Sequence, residues 1–239
     1  MNVISFLIDF ILHMEKYLPL LMQQFGVVTY IILFLVIFVE TGLVVIPFLP
    51  GDSLLFAAGA IAALPACSPN LAAGCDPNAF KLNVIVLYIL VAAAAVLGDT
   101  VNYWIGHYIG ERAFSGKSRF LKKEYLDRTQ AFYDKHGGKT ILLARFVPIV
   151  RTFAPFVAGV GKMRYGYFIS YNIFGGILWT ALFVFTGFFF GNLEFIQKNF
   201  SLVVIAIVLI SILPMVYEYV KAKRTPKPAP VPERPPAAE

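Results

Sequence analysis

Charge is absent from long stretches of this chain. Uncharged runs cover 17–39, 53–75, 82–98, 165–193 and 199–217. A helix needs ~20 mostly apolar residues to cross ~30 Å of hydrocarbon, so most of these runs predict membrane spans. The third continues past Asp99 to Gly110, because VNYWIGHYIG adds only a neutral His. The run 53–75 differs: PFLPGD feeds it, and it ends among Pro, Asn and Gly, which break spans rather than build them. In the first 18 residues Asn2, Ser5, Asp9, His13 and Lys16 recur at spacings of 3, 4, 4 and 3. That spacing draws one polar stripe along an otherwise apolar helix. No basic stretch precedes it and no cleavage site follows, so an interfacial helix is expected rather than a signal peptide.

Composition agrees with the pattern. Of 239 residues 59% are hydrophobic and 14% charged, against ~25% charged in an average soluble protein; the mean hydropathy is +0.73. These values exclude disulfide-rich secreted, fibrous and disordered classes. The net charge of +6 is explained by topology, so no nucleic-acid partner is expected. Residues 112–139 hold eight basic and three acidic side chains, with Leu121, Tyr125 and Phe132 on one helical face. The segment 221–239 holds five basic and two acidic. Cytoplasmic loops carry the Lys/Arg excess, which places both segments, and the C-terminus, in the cytoplasm. Six prolines in the last fifteen residues predict a disordered or polyproline-like tail. The loop before residue 82 has one basic residue, Lys81, and both cysteines, Cys67 and Cys75. Alternation puts it on the periplasmic side, where a disulfide is permitted but not required. With no His nearby, no metal is expected.

Two segments carry charge and proline at membrane depth. The first, FVETGLVVIPFLPGDSLLFAAGA, holds Glu40, Pro47, Pro50, Gly51 and Asp52; the second, LLARFVPIVRTFAPFVAGVG, holds Arg145, Pro148, Arg151 and Pro155. Proline inside a helix removes a hydrogen bond and breaks or kinks it. Irregular backbone is tolerated at membrane depth only inside protein or beside a wet cavity. Two re-entrant hairpins entering from opposite faces satisfy both constraints, and such pairs mark inverted-repeat transporters with a midplane site. The alternative is two kinked helices joined by structural ion pairs. The expected fold is thus an all-α integral membrane protein with an inverted repeat. Its order is an amphipathic helix (1–25), hairpin 1 (26–66), a periplasmic loop (67–81), a transmembrane helix (82–110) and a cytoplasmic amphipathic segment (111–139). Hairpin 2 (140–163), transmembrane helices (164–192 and 199–220) and a cytoplasmic tail (221–239) follow.

An ionisable side chain at the bilayer centre costs about 2.5–3.5 kcal/mol on insertion scales, which makes it a functional candidate. Arg145 and Arg151 cannot lose their protons, and their planar forks suit phosphate; for the two to converge, Pro148 must break the segment. Glu40 and Asp52 are candidate proton carriers. The rival reading is that all four pair permanently and hold the hairpins together. Asp99 either lines the cavity or pairs with an arginine; Pro50, Gly51, Pro148 and Pro155 are candidate lining residues. His107 reads as interfacial. The GxxxG spacings at Gly106–Gly110 and Gly187–Gly191 are weak signs of helix contact. GERAFSGKS is not a phosphate-binding loop, because five residues rather than four separate Gly110 from Gly116.

The strings FVETGLVVIPFLPGDSLLFAAGA, GDTVNYWIGHYIGE, FYDKHGGKTILLARFVPIVRTFAPFVAG and YNIFGGILW resemble the DedA family of bacterial inner-membrane proteins, part of the wider VTT (SNARE-associated Golgi) superfamily. With SFLIDFILH they cover nearly the whole chain, leaving the 67–80 loop and the tail as departures. The family's acidic pair falls on Glu40 and Asp52 and its arginine pair on Arg145 and Arg151. The resemblance implies lipid translocation, of undecaprenyl phosphate or a phospholipid, dependent on the proton motive force. Expected partners are a phosphate-headed membrane lipid, protons and the bilayer, with a homo-oligomer allowed and no cofactor. Competing functions are a proton-coupled small-cation or drug exporter, an envelope assembly factor, and a lipid phosphatase. The phosphatase would want a His beside the arginines, yet His107 and His136 lie in neither hairpin, so no enzyme is expected.

Overall fold

The computed structural model describes residues 14–43, 51–64, 80–113, 141–142, 145, 148–191, 193–199, 202–203, 205–207 and 209. Every regular element among them is helical: α1 Met14–Phe25, α2 Val28–Gly42, α3 Gly51–Ala63, α4 Val84–Ala113, α5 Pro148–Val160, α6 Tyr165–Phe190 and α7 Glu194–Lys198. Pro50, Cys67, Cys75 and the segments expected at 1–13, 114–140 and 210–239 lie outside the described residues, as does much of the helix expected at 199–220.

Two helices are long and apolar enough to cross a bilayer, Val84–Gly110 and Tyr165–Phe190, of 27 and 26 residues. At ~1.5 Å per residue each reaches about 40 Å. Asn83 starts the first by accepting hydrogen bonds from the Ile85 and Val86 amides at 2.9 and 3.2 Å, the usual work of an N-cap. Both helices turn bulky apolar residues outward, among them Ile89, Leu97, Trp104, Phe174, Leu182 and Phe189. α2 does the same with Val28, Ile31 and Leu35 while burying Thr29, Leu33, Ile37 and Glu40. Buried polar residues under an apolar exterior are what hydrocarbon solvent favours.

α3 and α5 are thirteen residues each, about 20 Å, and too short to span. α3 is buried on nearly every face, so it sits inside the bundle rather than on its surface. α1, Pro19 within it, ends at Gly26, whose φ of +51° favours glycine, and it packs Leu18 and Met22 into the main core.

The short helices pack on the long ones in two contacts that match residue for residue. α3 lies on α6, and α5 lies on α4. A Cβ added to Gly59 of α3 would lie 2.1 Å from the Val184 carbonyl oxygen, and one added to Gly159 of α5 would lie 2.0 Å from that of Tyr103. In return Gly187 of α6 meets the Phe56 carbonyl, and Gly106 of α4 meets the Phe156 carbonyl, both at 2.1 Å. Gly191 then faces Ala60 where Gly110 faces Val160. FAAGA at 56–60 thus occupies on α6 the place that FVAGV at 156–160 occupies on α4. Both GxxxG spacings that were weak in sequence are close backbone contacts, because only a missing side chain allows that approach.

Candidate functional site

The ionisable side chains at membrane depth gather between these contacts into two linked clusters. Glu40 is near the C-terminus of α2, Asp52 in the first turn of α3, and Arg151 in the first turn of α5. The Arg151 guanidinium bonds Glu40 Oε1 through Nη2 at 2.5 Å and Asp52 Oδ1 through Nη1 at 2.7 Å. Its Cζ sits 4.7 Å from the centre of the Trp179 ring, within cation–π range. Trp179 also donates its indole N–H to Asp52 Oδ1 at 3.0 Å, and the Gly51 amide donates to Glu40 Oε1 at 3.2 Å. Gly51 is required here: a Cβ would lie 2.1 Å from Glu40 Oε2.

Arg145 occupies a turn before α5 and reaches the other way. Through Nη2 it bonds both Asp99 Oδ2 of α4 and Asn172 Oδ1 of α6. Asn172 is oriented by donating to the Val96 carbonyl at 3.0 Å and to Thr100 Oγ1 at 3.4 Å. The stem and head of Arg145 lie over Gly175 and Gly176, where added Cβ atoms would come within 2.9 Å of its Cδ and 3.5 Å of its Nη1. Asn102, one turn beyond Asp99 on α4, donates to the Thr41 carbonyl at 3.2 Å and the Thr152 carbonyl at 2.7 Å, so α2, α4 and α5 share one side chain.

The sequence-predicted residues are therefore brought together, in a different grouping. Pro148 opens α5 as its first residue, a position that tolerates a missing N–H. Arg145 and Arg151 project to separate acids instead of one shared point. A buried guanidinium needs a counter-ion, and Asp99 supplies one to Arg145. Pro155 lies inside α5, removing the amide that would bond the Arg151 carbonyl. His107 belongs to an aromatic group with Tyr103 and Trp104, centroids 6.1 and 5.5 Å away. Trp179, Asn172, Asn102 and the Gly175–Gly176 pair were not singled out as site residues. Their signal was present, since Asn172, Gly175, Gly176, Trp179 and Thr180 recur at helical spacing on the buried face of α6.

Two guanidiniums face three carboxylates. Arg145 and Asp99 balance, whereas Arg151 with Glu40 and Asp52 carries one negative charge, which a single proton on either acid cancels. Glu40 is 1% exposed and Asp52 13%, so Asp52 is the nearer to solvent. Among the described residues Glu40 Oε2, Asp99 Oδ1, Arg145 Nε and Nη1, and Arg151 Nε are buried without a hydrogen-bond partner. The centre holds more donors and acceptors than its own members satisfy. No metal-holding group of His, Cys, Asp and Glu occurs among the described residues.

An apolar exterior, two bilayer-length helices and a buried acid–arginine centre define a helical membrane protein. Its relatives give the family. Residues 46–189 match the VTT domain. The chain is 52% identical to Protein DedA of Escherichia coli (strain K12) over 225 residues, 94% of this chain and 97% of that protein. It is 43% identical over 197 residues to an uncharacterised membrane protein of Mycobacterium tuberculosis (strain H37Rv), covering 82% of this chain and 81% of the relative. Inner membrane protein YghB of Escherichia coli (strain K12) is 30% identical over 173 residues, 72% of each chain. No solved structure matches. The chain belongs to the DedA family of VTT-domain membrane proteins.

Proposed function

We propose that this protein is a proton-coupled transporter of a phosphate-headed lipid, undecaprenyl phosphate or a phospholipid, between the leaflets of a bacterial inner membrane. The carrying observation is the buried centre of Glu40, Asp52, Asp99, Arg145 and Arg151 inside an apolar shell. Permanent structural pairing would be best served by matched charges and full hydrogen bonding; here one carboxylate is in excess and several buried polar atoms lack partners. In this reading 26–66 and 140–163 are opposed re-entrant hairpins, each resting on the long helix that follows the other. The paired FAAGA and FVAGV contacts and the thirteen-residue lengths of α3 and α5 support that topology. The C-terminus is cytoplasmic.

The chemistry follows from the charge count. With Glu40 and Asp52 both ionised, both terminal nitrogens of Arg151 are engaged and an entering phosphate meets net negative charge. A proton arriving at Asp52, the more exposed acid, removes that charge and frees guanidinium N–H groups for the headgroup. Loss of the proton toward the other side restores the carboxylate and displaces the phosphate. Direction then depends on the two facing states differing in affinity for proton or lipid, since equal affinity shifts nothing.

The test is leaflet-resolved lipid transport in vesicles holding the purified full-length chain. Glu40→Gln, Asp52→Asn, Arg151→Lys and Arg151→Ala should each lose proton-driven transport, while Lys81→Ala, at an exposed position, should keep it. Native transport of labelled undecaprenyl phosphate and phospholipid by Arg151→Ala would refute the reading. Excess negative charge at Arg151 also favours a small-cation exporter; that alternative wins if cations, and not lipids, dissipate an imposed proton gradient.

A further inference from the structure

A second feature adjoins the charged centre. Between α4 and α6 runs a groove of about 330 Å³ lined by Tyr88, Ile89, Ala92, Ala93, Val96, Ile173 and Ile177. On α4 the lining falls at 89, 92, 93 and 96, one helical face over two turns, roughly 10 Å of axis. Ala92 and Ala93 are the small side chains that hollow it. Ile89, Ile173 and Ile177 on its rim are all more than two-fifths exposed, so it opens to hydrocarbon. Tyr88 marks one end, its hydroxyl donating to the Ile177 carbonyl at 3.4 Å. Val96 marks the other.

Val96 is also where the groove reaches the polar centre. Its carbonyl accepts the Asn172 amide, and its Cγ2 and Arg145 Nη1 meet the same face of Gly176, 2.8 and 3.5 Å from a Cβ built there. One turn further along α4 stands Asp99, which engages only Nη2 of Arg145. Nε and Nη1 of this 2%-exposed arginine have no partner among the described residues. The groove is apolar along its length and closes at Val96; the unpartnered guanidinium donors of Arg145 lie behind that side chain, beside Gly176.

We propose that the α4–α6 groove is the hydrocarbon-chain site of a phosphate-bearing membrane lipid, seating one chain between Tyr88 and Val96 with the headgroup beside the unpartnered Nη1 of Arg145. The volume lies at the small end of ligand pockets, ~300–1,000 Å³, which suits one chain segment rather than a whole lipid. Charge complementarity selects the headgroup: the donors behind Val96 are cationic and fully desolvated, so an anionic oxygen that moves that side chain aside gains most there. A neutral lipid with the same chains gains the groove and not the donors. Asp99 keeps Nη2, so the ion pair need not open. This assignment rests on the lipid reading above and adds to it where the chain lies and that Arg145, as well as Arg151, meets the headgroup.

The experiment is photo-crosslinking on the full-length chain in nanodiscs. Three diazirine-tailed probes share the same chains: phosphatidic acid, phosphatidylcholine and diacylglycerol. With phosphatidic acid, labelled peptides should concentrate at 88–96 and 173–177 above the general labelling of outward positions such as Ile31 and Leu35. Diacylglycerol, which gains the groove and not the donors, should label it less than phosphatidic acid does, and phosphatidylcholine, which carries a phosphate, should resemble phosphatidic acid. Ala93→Trp and the milder Ala93→Leu fill the groove from an exposed position, so the fold should survive, checked by an unchanged helical signal. Groove labelling should fall roughly tenfold in the Trp variant, the effect of displacing about two methylenes, and less in the Leu variant. Even labelling of all outward faces by every probe, or groove labelling unchanged in both variants, overturns the proposal. Failure here while Arg151→Ala still abolishes transport leaves the lipid reading standing. Groove labelling together with native transport by Arg151→Ala refutes that reading and not the groove.

Discussion

Removing Arg145 separates a structural role from a transporting one. Arg145 and Asp99 are 2% and 1% exposed, and Arg145 also satisfies Asn172 Oδ1. Arg145→Met keeps much of the stem over Gly175 and Gly176 but strands Asp99. Breaking a buried ion pair by deleting one partner costs about 3–5 kcal/mol, and the orphaned Asn172 oxygen belongs to the same class of penalty, ~1–3 kcal/mol where a neutral group is left unpaired. A destabilisation of about 3–5 kcal/mol is therefore expected, read from reversible unfolding in detergent or bicelles. Adding Asp99→Leu removes the stranded charge. Replacing a buried pair by apolar residues is often neutral or stabilising, so the double variant should recover most of the loss, short only of the ~1–3 kcal/mol for the still unpaired Asn172 oxygen, and the cycle isolates the coupling. Transport should not return with it. If Arg145→Met costs under ~1 kcal/mol, the pair is not desolvated as described. A double variant that is stable and moves lipid at the native rate would leave Arg145 a purely structural residue.

Other outcomes follow from single contacts. Gly106→Ala and Gly59→Ala drive a methyl to 2.1 Å from a backbone oxygen and should each destabilise by ~1–3 kcal/mol, the range of overpacking. Gly166→Ala, with nothing within 4 Å, should be neutral or slightly stabilising in the same unfolding assay. Gly51→Ala should displace the Glu40 carboxylate from Arg151 and suppress transport while the long helices persist in circular dichroism. Trp179→Phe keeps a ring under Arg151 but deletes the bond to Asp52; a loss of ~1–2 kcal/mol is expected, with Trp179→Leu losing more. Asn102→Leu leaves the Thr41 and Thr152 carbonyls without their shared donor and should loosen α2 and α5 together, seen as faster amide exchange in both.

Sequence alone determined the class, the two long helices and the identity of the misplaced charges. The reason is that hydrocarbon imposes a long-range rule on one-dimensional pattern: spans must be apolar for a fixed length, and every charge left at depth needs a cause. That is why Glu40, Asp52, Asp99, Arg145 and Arg151 were legible without coordinates. Which acid meets which arginine was not, because pairing depends on how α3 and α5 lie on α6 and α4. Those contacts are set by carbonyl oxygens seated against glycines far away in sequence. Asn172 and Trp179 share one helical face of α6, but a neutral polar residue in an apolar run carries no cost visible in the string until a buried partner is placed beside it, so their role, like that of Asn102, was decided only by the fold. The GxxxG spacings show the limit most plainly. In sequence they are common accidents of glycine-rich helices; in the tertiary structure Gly106 and Gly187 become two matching contacts, because only there does a neighbouring backbone come close enough to forbid a side chain.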